Sequence, residues 1–166
     1  MAKLKKIAGD YTNPDAIEKV IHYIFNPNKI PSGITGAFSA NTMDTELMIH
    51  QFNKVQQYHR NCKGKRIIHL VVSFSNDEIA LMPKISYTKI GYKILDFIGT
   101  EYQSVFALHE NKKNLHIHFA INPVNTITGK KYRWQYSTKY LFHDWINYII
   151  HEEVSKYQPD SFFPKS

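Results

Sequence analysis

Asn114-Leu115-His116-Ile117-His118-Phe119-Ala120-Ile121-Asn122 alternates in the manner of a β-strand, whose side chains point to opposite faces with a period of two. Leu115, Ile117, Phe119 and Ile121 fall on one face and read as core. His116, His118, Ala120 and Asn122 fall on the other. Two imidazoles spaced this way stand roughly 6–7 Å apart along the strand, close enough to lean onto one ion. A third histidine from a neighbouring strand would give three nitrogen ligands with positions left open for substrate, as in catalytic metal sites. His109 lies seven residues upstream of His116. Tyr102 to His109 reads as a strand and Glu110 to Asn114 as a short polar connection, so the two strands form a hairpin. The hairpin brings His109 beside the His116/His118 pair. The bland reading of a His-x-His, two imidazoles on a partly exposed strand, stands beside the metal reading until the third ligand is placed.

Working outward, Arg66 to Phe74 reads as a central strand, with Ile68, Leu70, Val72 and Phe74 on one face and His69, Ser73, Ile67 and Val71 on the other. Asn13-Pro14 supplies a cap and a first-turn proline for a helix. The helix carries an apolar stripe at Ile17, Val20, Ile21 and Ile24 and ends at Asn26-Pro27-Asn28. Lys29 to Asn41 reads as an irregular loop, Thr45 to Tyr58 as a second helix, and Ser86 to Ile98 as an amphipathic helix stopped by Gly99. Thr126 to Lys131 is a turn, Lys131 to Trp134 a short further strand, and Leu141, Trp145, Tyr148 and Ile149 mark a final helix. The fold class expected is α+β, a mostly antiparallel central sheet flanked by helices, which we place on one face.

The chain has 166 residues, enough for one domain with a sizeable core. Its 11 Tyr, 10 Phe and 2 Trp within a 43% hydrophobic composition exclude a disordered tail. A net charge of +7 and a pI near 9.4 fit a nucleic-acid partner: cations neutralise phosphates and rings stack on unpaired bases. A single cysteine, Cys62, excludes an internal disulfide framework and a cysteine-based zinc site. No apolar run suits a signal peptide or membrane segment, so the expected location is the cytoplasm.

Several segments together make the chain resemble the HUH endonuclease relaxases of the MobA/VirD2 type, the plasmid mobilisation nucleases. Ile21-His22-Tyr23-Ile24-Phe25-Asn26-Pro27-Asn28-Lys29 is similar to the family's first motif, a helix bearing a nucleophilic Tyr and then an Asn-Pro-x-Lys turn. His69-Leu70-Val71-Val72-Ser73-Phe74 is similar to the second. Val105 to His109, His116 to Asn125 and Thr128 to Tyr132 are similar to the third with its downstream turn. The resemblance runs from about residue 15 to 150. It implies an HUH, ferredoxin-like palm, with residues 1–166 as one nuclease domain, core about 13–153, either minimal or part of a longer protein. It further implies that His109, His116 and His118 hold a divalent cation and that Tyr23 attacks single-stranded DNA at an origin of transfer. The product would be a 5′-phosphotyrosine link and a free 3′-hydroxyl, with rejoining by reversal. The resemblance points to manganese or magnesium, whereas ligand affinity alone favours zinc, nickel or copper, and cobalt also suits such a set. Any accessory DNA-binding protein goes unnamed by the sequence.

Around these residues, His69, Asp77 and Glu78 are candidates for proton transfer, and Asn122 for a hydrogen bond supporting the metal ligands. Lys65, Arg66, Lys112, Lys113, Lys130, Lys131 and Arg133, with Lys63, are candidate phosphate contacts; Tyr132, Trp134 and Tyr136 are candidate stacking platforms. Two other readings stay open. A single-Tyr transposase or replication initiator would carry its nucleophile after the His pair, at Tyr140, Tyr148 or Tyr157. A non-catalytic single-strand-binding module would need none. Tyr11 is the N-terminal rival to Tyr23.

Overall fold

The computed structural model describes residues 3–6, 10–111 and 114–158. Five strands form one sheet in the order β1-β3-β5-β4-β2, where β1 is Lys3–Lys6, β2 Thr35–Phe38, β3 Ile68–Ser73, β4 Ser104–Asn111 and β5 Asn114–Ile121. Every pairing is antiparallel. Five helices accompany the sheet: α1 Ala16–Ile24, α2 Thr45–Tyr58, α3 Asn76–Leu81, α4 Lys84–Ile98 and α5 Tyr136–Ser155.

The central strands form as their alternation predicts, and the faces they bury differ. Ile68, Leu70 and Val72 of β3, Phe106 and Leu108 of β4, and Ile117, Phe119 and Ile121 of β5 pack with Ile90, Ile94 and Ile98 of α4 and with Phe142, Ile146, Ile149 and Ile150 of α5. On the other face, Val105, Ala107 and Ala120 meet Ile17, Val20, Ile21 and Ile24 of α1 and Met48, Ile49 and Phe52 of α2. Helices therefore cover both faces, correcting the expectation of one. The stripes on α1 and α4 are each wide enough to claim a face of their own.

Three local expectations change. The segment read as an irregular loop, Lys29 to Asn41, holds the edge strand β2, and the helix-ending Asn26-Pro27-Asn28 leads into a 3₁₀ turn at Pro27–Lys29. Gly36 hid that strand, because it weakens the local pattern; the fold needs it, since the ring of Phe106 fills the space a side chain would take. A Cβ on Gly91 of α4 would likewise lie 2.6 Å from that ring, so Phe106 is clamped between two glycines. The strand expected over 131–134 is reduced to one bridge, Val124 to Lys131. Helix α1 begins at Ala16, two residues after Pro14, with Asp15 in the capping position. Strand β1 and α3, the latter closed by a Ser75/Glu78 capping box, were not anticipated.

The β4–β5 hairpin forms, with Asn111 opposite Asn114. Lys112 and Lys113, which join the strands, lie outside the described residues.

Candidate active site

Register decides which side chains share the α1/α2 face of the sheet. His109 stands directly opposite His116, and His118 opposite both Ala107 of β4 and Val71 of β3. His116 faces Ser73, and His69 faces Ala120. Partners in an antiparallel pair point the same way, so His69, Ser73, His109, His116 and His118 line one patch. The small side chains of Ala107 and Ala120 leave room above them.

Helix α1 roofs this patch. Its apolar stripe is buried, which turns Tyr23 to the side, 45% exposed. The Tyr23 ring centroid stands 5.6 Å from that of His118, 5.8 Å from His109 and 6.0 Å from His69. The last carbonyl of α1 anchors this placement: Nε2 of the buried His109 donates to Ile24 O at 2.7 Å, satisfying an orphan acceptor of the helix end. The 3₁₀ turn that follows, capped by the Asn26 side chain, delivers Lys29, whose Nζ lies 3.5 Å above the Tyr23 ring centroid. Tyr23, Lys29, Ser73, His109, His116 and His118 line a cleft of about 300 Å³.

Each histidine of the predicted set has one ring nitrogen engaged by the protein. His109 Nε2 must carry the proton it donates, which leaves Nδ1 as the lone-pair nitrogen. His116 Nδ1 pairs with Ser73 Oγ at 2.9 Å, and His118 Nδ1 with His69 Nε2 at 3.1 Å. Beyond His69, its Nδ1 meets the Tyr11 hydroxyl at 3.4 Å. The ring centroids of His109 and His118 are 4.0 Å apart and those of His116 and His118 6.3 Å. As the side chains stand, no three His, Cys, Asp or Glu among the described residues converge as a metal cage. The donor set nonetheless fits a divalent cation: neutral imidazoles, each oriented through one nitrogen with the other available. Burial holds them neutral, lowering His118 to about 2 and His69 to about 4, with His109 lowered by burial against the opposing pull of its bond to Ile24, and His116 lowered by burial.

Other expected site residues fall elsewhere. Asn122 is fully buried past the end of β5. Its amide donates to Phe52 O and Gln103 Oε1, and its Oδ1 accepts from Gln56 Nε2 and Val124 N–H; none of these bonds reaches a histidine. Arg66, expected as a phosphate contact, is buried, and its guanidinium donates to Gln56 Oε1 at 2.6 Å and Asn53 Oδ1 at 3.0 Å. The Lys131 ammonium is turned onto the carbonyls of Lys63 and Lys65. Lys130 and Arg133 are exposed and line a hollow with Asn61, Gly129 and Lys131, none of which lines the histidine cleft. Tyr132 and Trp134 pack against the α4/α5 core, while Tyr136 is exposed and bonded to Tyr140. Glu78 accepts the Ser75 N–H at the start of α3. Tyr140 and Tyr148 are exposed on α5, whose buried side packs on the opposite face of the sheet from the histidines, and Tyr157 packs against that same core.

Lys29 and Ser73 were not singled out from sequence as site residues. Lys29 stood within the Asn-Pro-x-Lys turn, the one signal that could have marked it.

A tyrosine-bearing helix end held over a histidine-lined strand pair, on an all-antiparallel sheet between helices, is compatible with a relaxase nuclease palm. A family model for the MobA/VirD2-like relaxase nuclease domain matches residues 23–153, and the chain belongs to that family. The group II intron-interrupted relaxase LtrB of Lactococcus lactis subsp. cremoris strain MG1363 is 26% identical over 147 residues, covering 75% of this chain and 26% of that protein. The relaxase of the same description from Lactococcus lactis subsp. cremoris matches with the same figures. The chain spans about a quarter of the length of these relatives. No solved structure matches it significantly. Among the described residues no helix is long and apolar enough to cross a membrane.

Proposed function

We propose that this relaxase domain nicks single-stranded DNA at an origin of transfer through Tyr23, leaving a reversible protein–DNA link. The observation that carries the reading is the position of Tyr23, its ring centroid 5.6 Å from that of His118 and 5.8 Å from that of His109, both of which line the same cleft as Tyr23. In the proposed step the Tyr23 oxygen forms a bond to the scissile phosphorus and the bond from phosphorus to the 3′-oxygen breaks. The phenol proton is lost and a proton ends on the departing 3′-hydroxyl, so the 5′-phosphate stays on Tyr23. Because the diester bond is exchanged and not hydrolysed, a 3′-hydroxyl can reverse the step.

His109, His116 and His118 would hold a divalent cation, manganese or magnesium, which when bound offsets charge on the non-bridging phosphate oxygens. The chain's own residues prepare the rest. His109 ties the end of α1 to β4, so the group that would bind metal also fixes the helix that carries the nucleophile. Ser73 and His69 orient His116 and His118. His69 suits this orienting role better than proton transfer, since both its nitrogens are engaged and burial makes it a weak base. The Lys29 ammonium steadies the exposed Tyr23 ring and adds positive charge where a phosphate would enter.

The single-Tyr transposase reading loses support from the location of Tyr140, Tyr148 and Tyr157 on the far side of the sheet. The binding-module reading is tested by chemistry. With manganese or magnesium present, an end-labelled pool of randomised single-stranded DNA is expected to yield detergent-stable protein–DNA adducts, and chelation to abolish them. Binding without adducts, indifferent to chelator, would favour the non-catalytic module.

A further inference from the structure

Tyr23 separates two openings of different chemistry. On its histidine side lies the cleft described above. On its other side lies a second pocket of about 340 Å³, lined by Tyr11, Lys19, Val20, Tyr23 and His69. Its walls are two aromatic rings, a valine and an imidazole. Its cation, Lys19, is paired with Asp15 at 2.7 Å. The histidine cleft carries Lys29 over a ring instead. The two pockets thus differ in chemistry, with an ammonium over the Tyr23 ring on one side and flat rings on the other.

Tyr11 is held for this position at a conformational cost. Its φ of +45° lies in the left-handed region that bulky side chains rarely adopt. Its carbonyl accepts from Arg66 N–H at 2.8 Å and its hydroxyl meets His69, so backbone and side chain are both tied to β3 and its approach. The ring is half-buried and borders the pocket.

We infer that the Tyr11/Tyr23 pocket receives the unpaired base of a nucleotide flanking the scissile phosphate, which makes Tyr11 a determinant of sequence preference at the nick. The inference rests on the nicking reading for the position of the phosphate. Stacking on an aromatic side chain needs no charge, and its strength differs among bases, so a base seated against these rings is preferred by its stacking and its fit.

Two measurements test it. First, the Tyr23→Phe protein, which cannot form the proposed adduct, is photocrosslinked to single-stranded oligothymidine carrying 5-iodouracil, and the crosslinked peptide is identified by mass spectrometry. A crosslink at Tyr11 is expected; crosslinking confined to other residues, or none, overturns the pocket. Second, adducts formed by the Tyr23-bearing protein on a randomised single-stranded pool are sequenced. Tyr11→Ala is expected to lower adduct yield about ten-fold and to flatten base preference at one nucleotide beside the link, with Tyr11→Phe close to the unsubstituted protein. Preferences unchanged at both flanking nucleotides, or lost equally at all positions, overturn it. Failure of the unsubstituted protein to form adducts counts against the nicking reading, and the crosslink then still decides the pocket.

Discussion

The two faces of β5 show how one strand serves two purposes. Ile117, Phe119 and Ile121 are buried in the core shared with α4 and α5, where aromatic and branched side chains fill the space. His116, His118 and Ala120, on the alternate positions, face the side that α1 covers, with Ala107 across from His118 and Val105 across from Ala120. The first face is built for packing density. The second carries imidazoles that line an open cleft. The α4/α5 face of β5 is thus all core, whereas the α1/α2 face divides between a core at Ala120 and a histidine-lined cleft, with the backbone ladder joining the two faces. That division is a reason for the histidines to sit on central strands: β5 lies between β3 and β4, and its geometry is fixed from both edges.

The largest effect expected on stability is on the packed face. Phe119→Ala should cost about 3–5 kcal/mol in chemical unfolding; a loss under about 1 kcal/mol would show that this face is not the one that holds the fold. Next comes acid. His69 and His118 have folded values depressed from 6.5 to about 4 and about 2, so the unfolded chain takes up protons that the folded chain does not as pH falls below about 6.5. Their contribution is present in full above that value and is lost as pH falls. Each site removes at most about 1.4 kcal/mol per pH unit. Thermal unfolding of the metal-free protein should therefore show a falling midpoint between pH 7 and pH 5; a midpoint constant over that window would contradict the buried, neutral assignment. The smallest change in stability belongs to the open face. His116→Ala should shift unfolding by no more than about 1 kcal/mol while manganese affinity, read by calorimetric titration, falls at least ten-fold. A large stability loss with affinity unchanged would reverse the comparison.

Much of this arrangement was legible in the chain. Period-two alternation assigned the faces of β5, and the short connection made His109 a neighbour of His116; both follow from covalent geometry. The stripe on α1 showed which residues it buries and so left Tyr23 to one side. What stayed hidden depends on partners distant in sequence. Asn122 has the same parity as His116 and His118, yet Gln56 of α2 and Gln103 claim its amide. Arg66 reads as a solvated cation until Gln56 and Asn53 are seen to receive it. Tyr11 and Lys29 bracket Tyr23 only after the N-terminal segment and the 3₁₀ turn fold back over the sheet.

Tyr23 is the proposed nucleophile. Its most direct test is to digest detergent-stable adducts formed on single-stranded DNA and identify the nucleotide-bearing peptide by mass spectrometry. The account predicts a 5′-phosphate on Tyr23, with no adduct from Tyr23→Phe. A nucleotide on Tyr11, Tyr140 or Tyr148, or an adduct that persists in Tyr23→Phe, would contradict it.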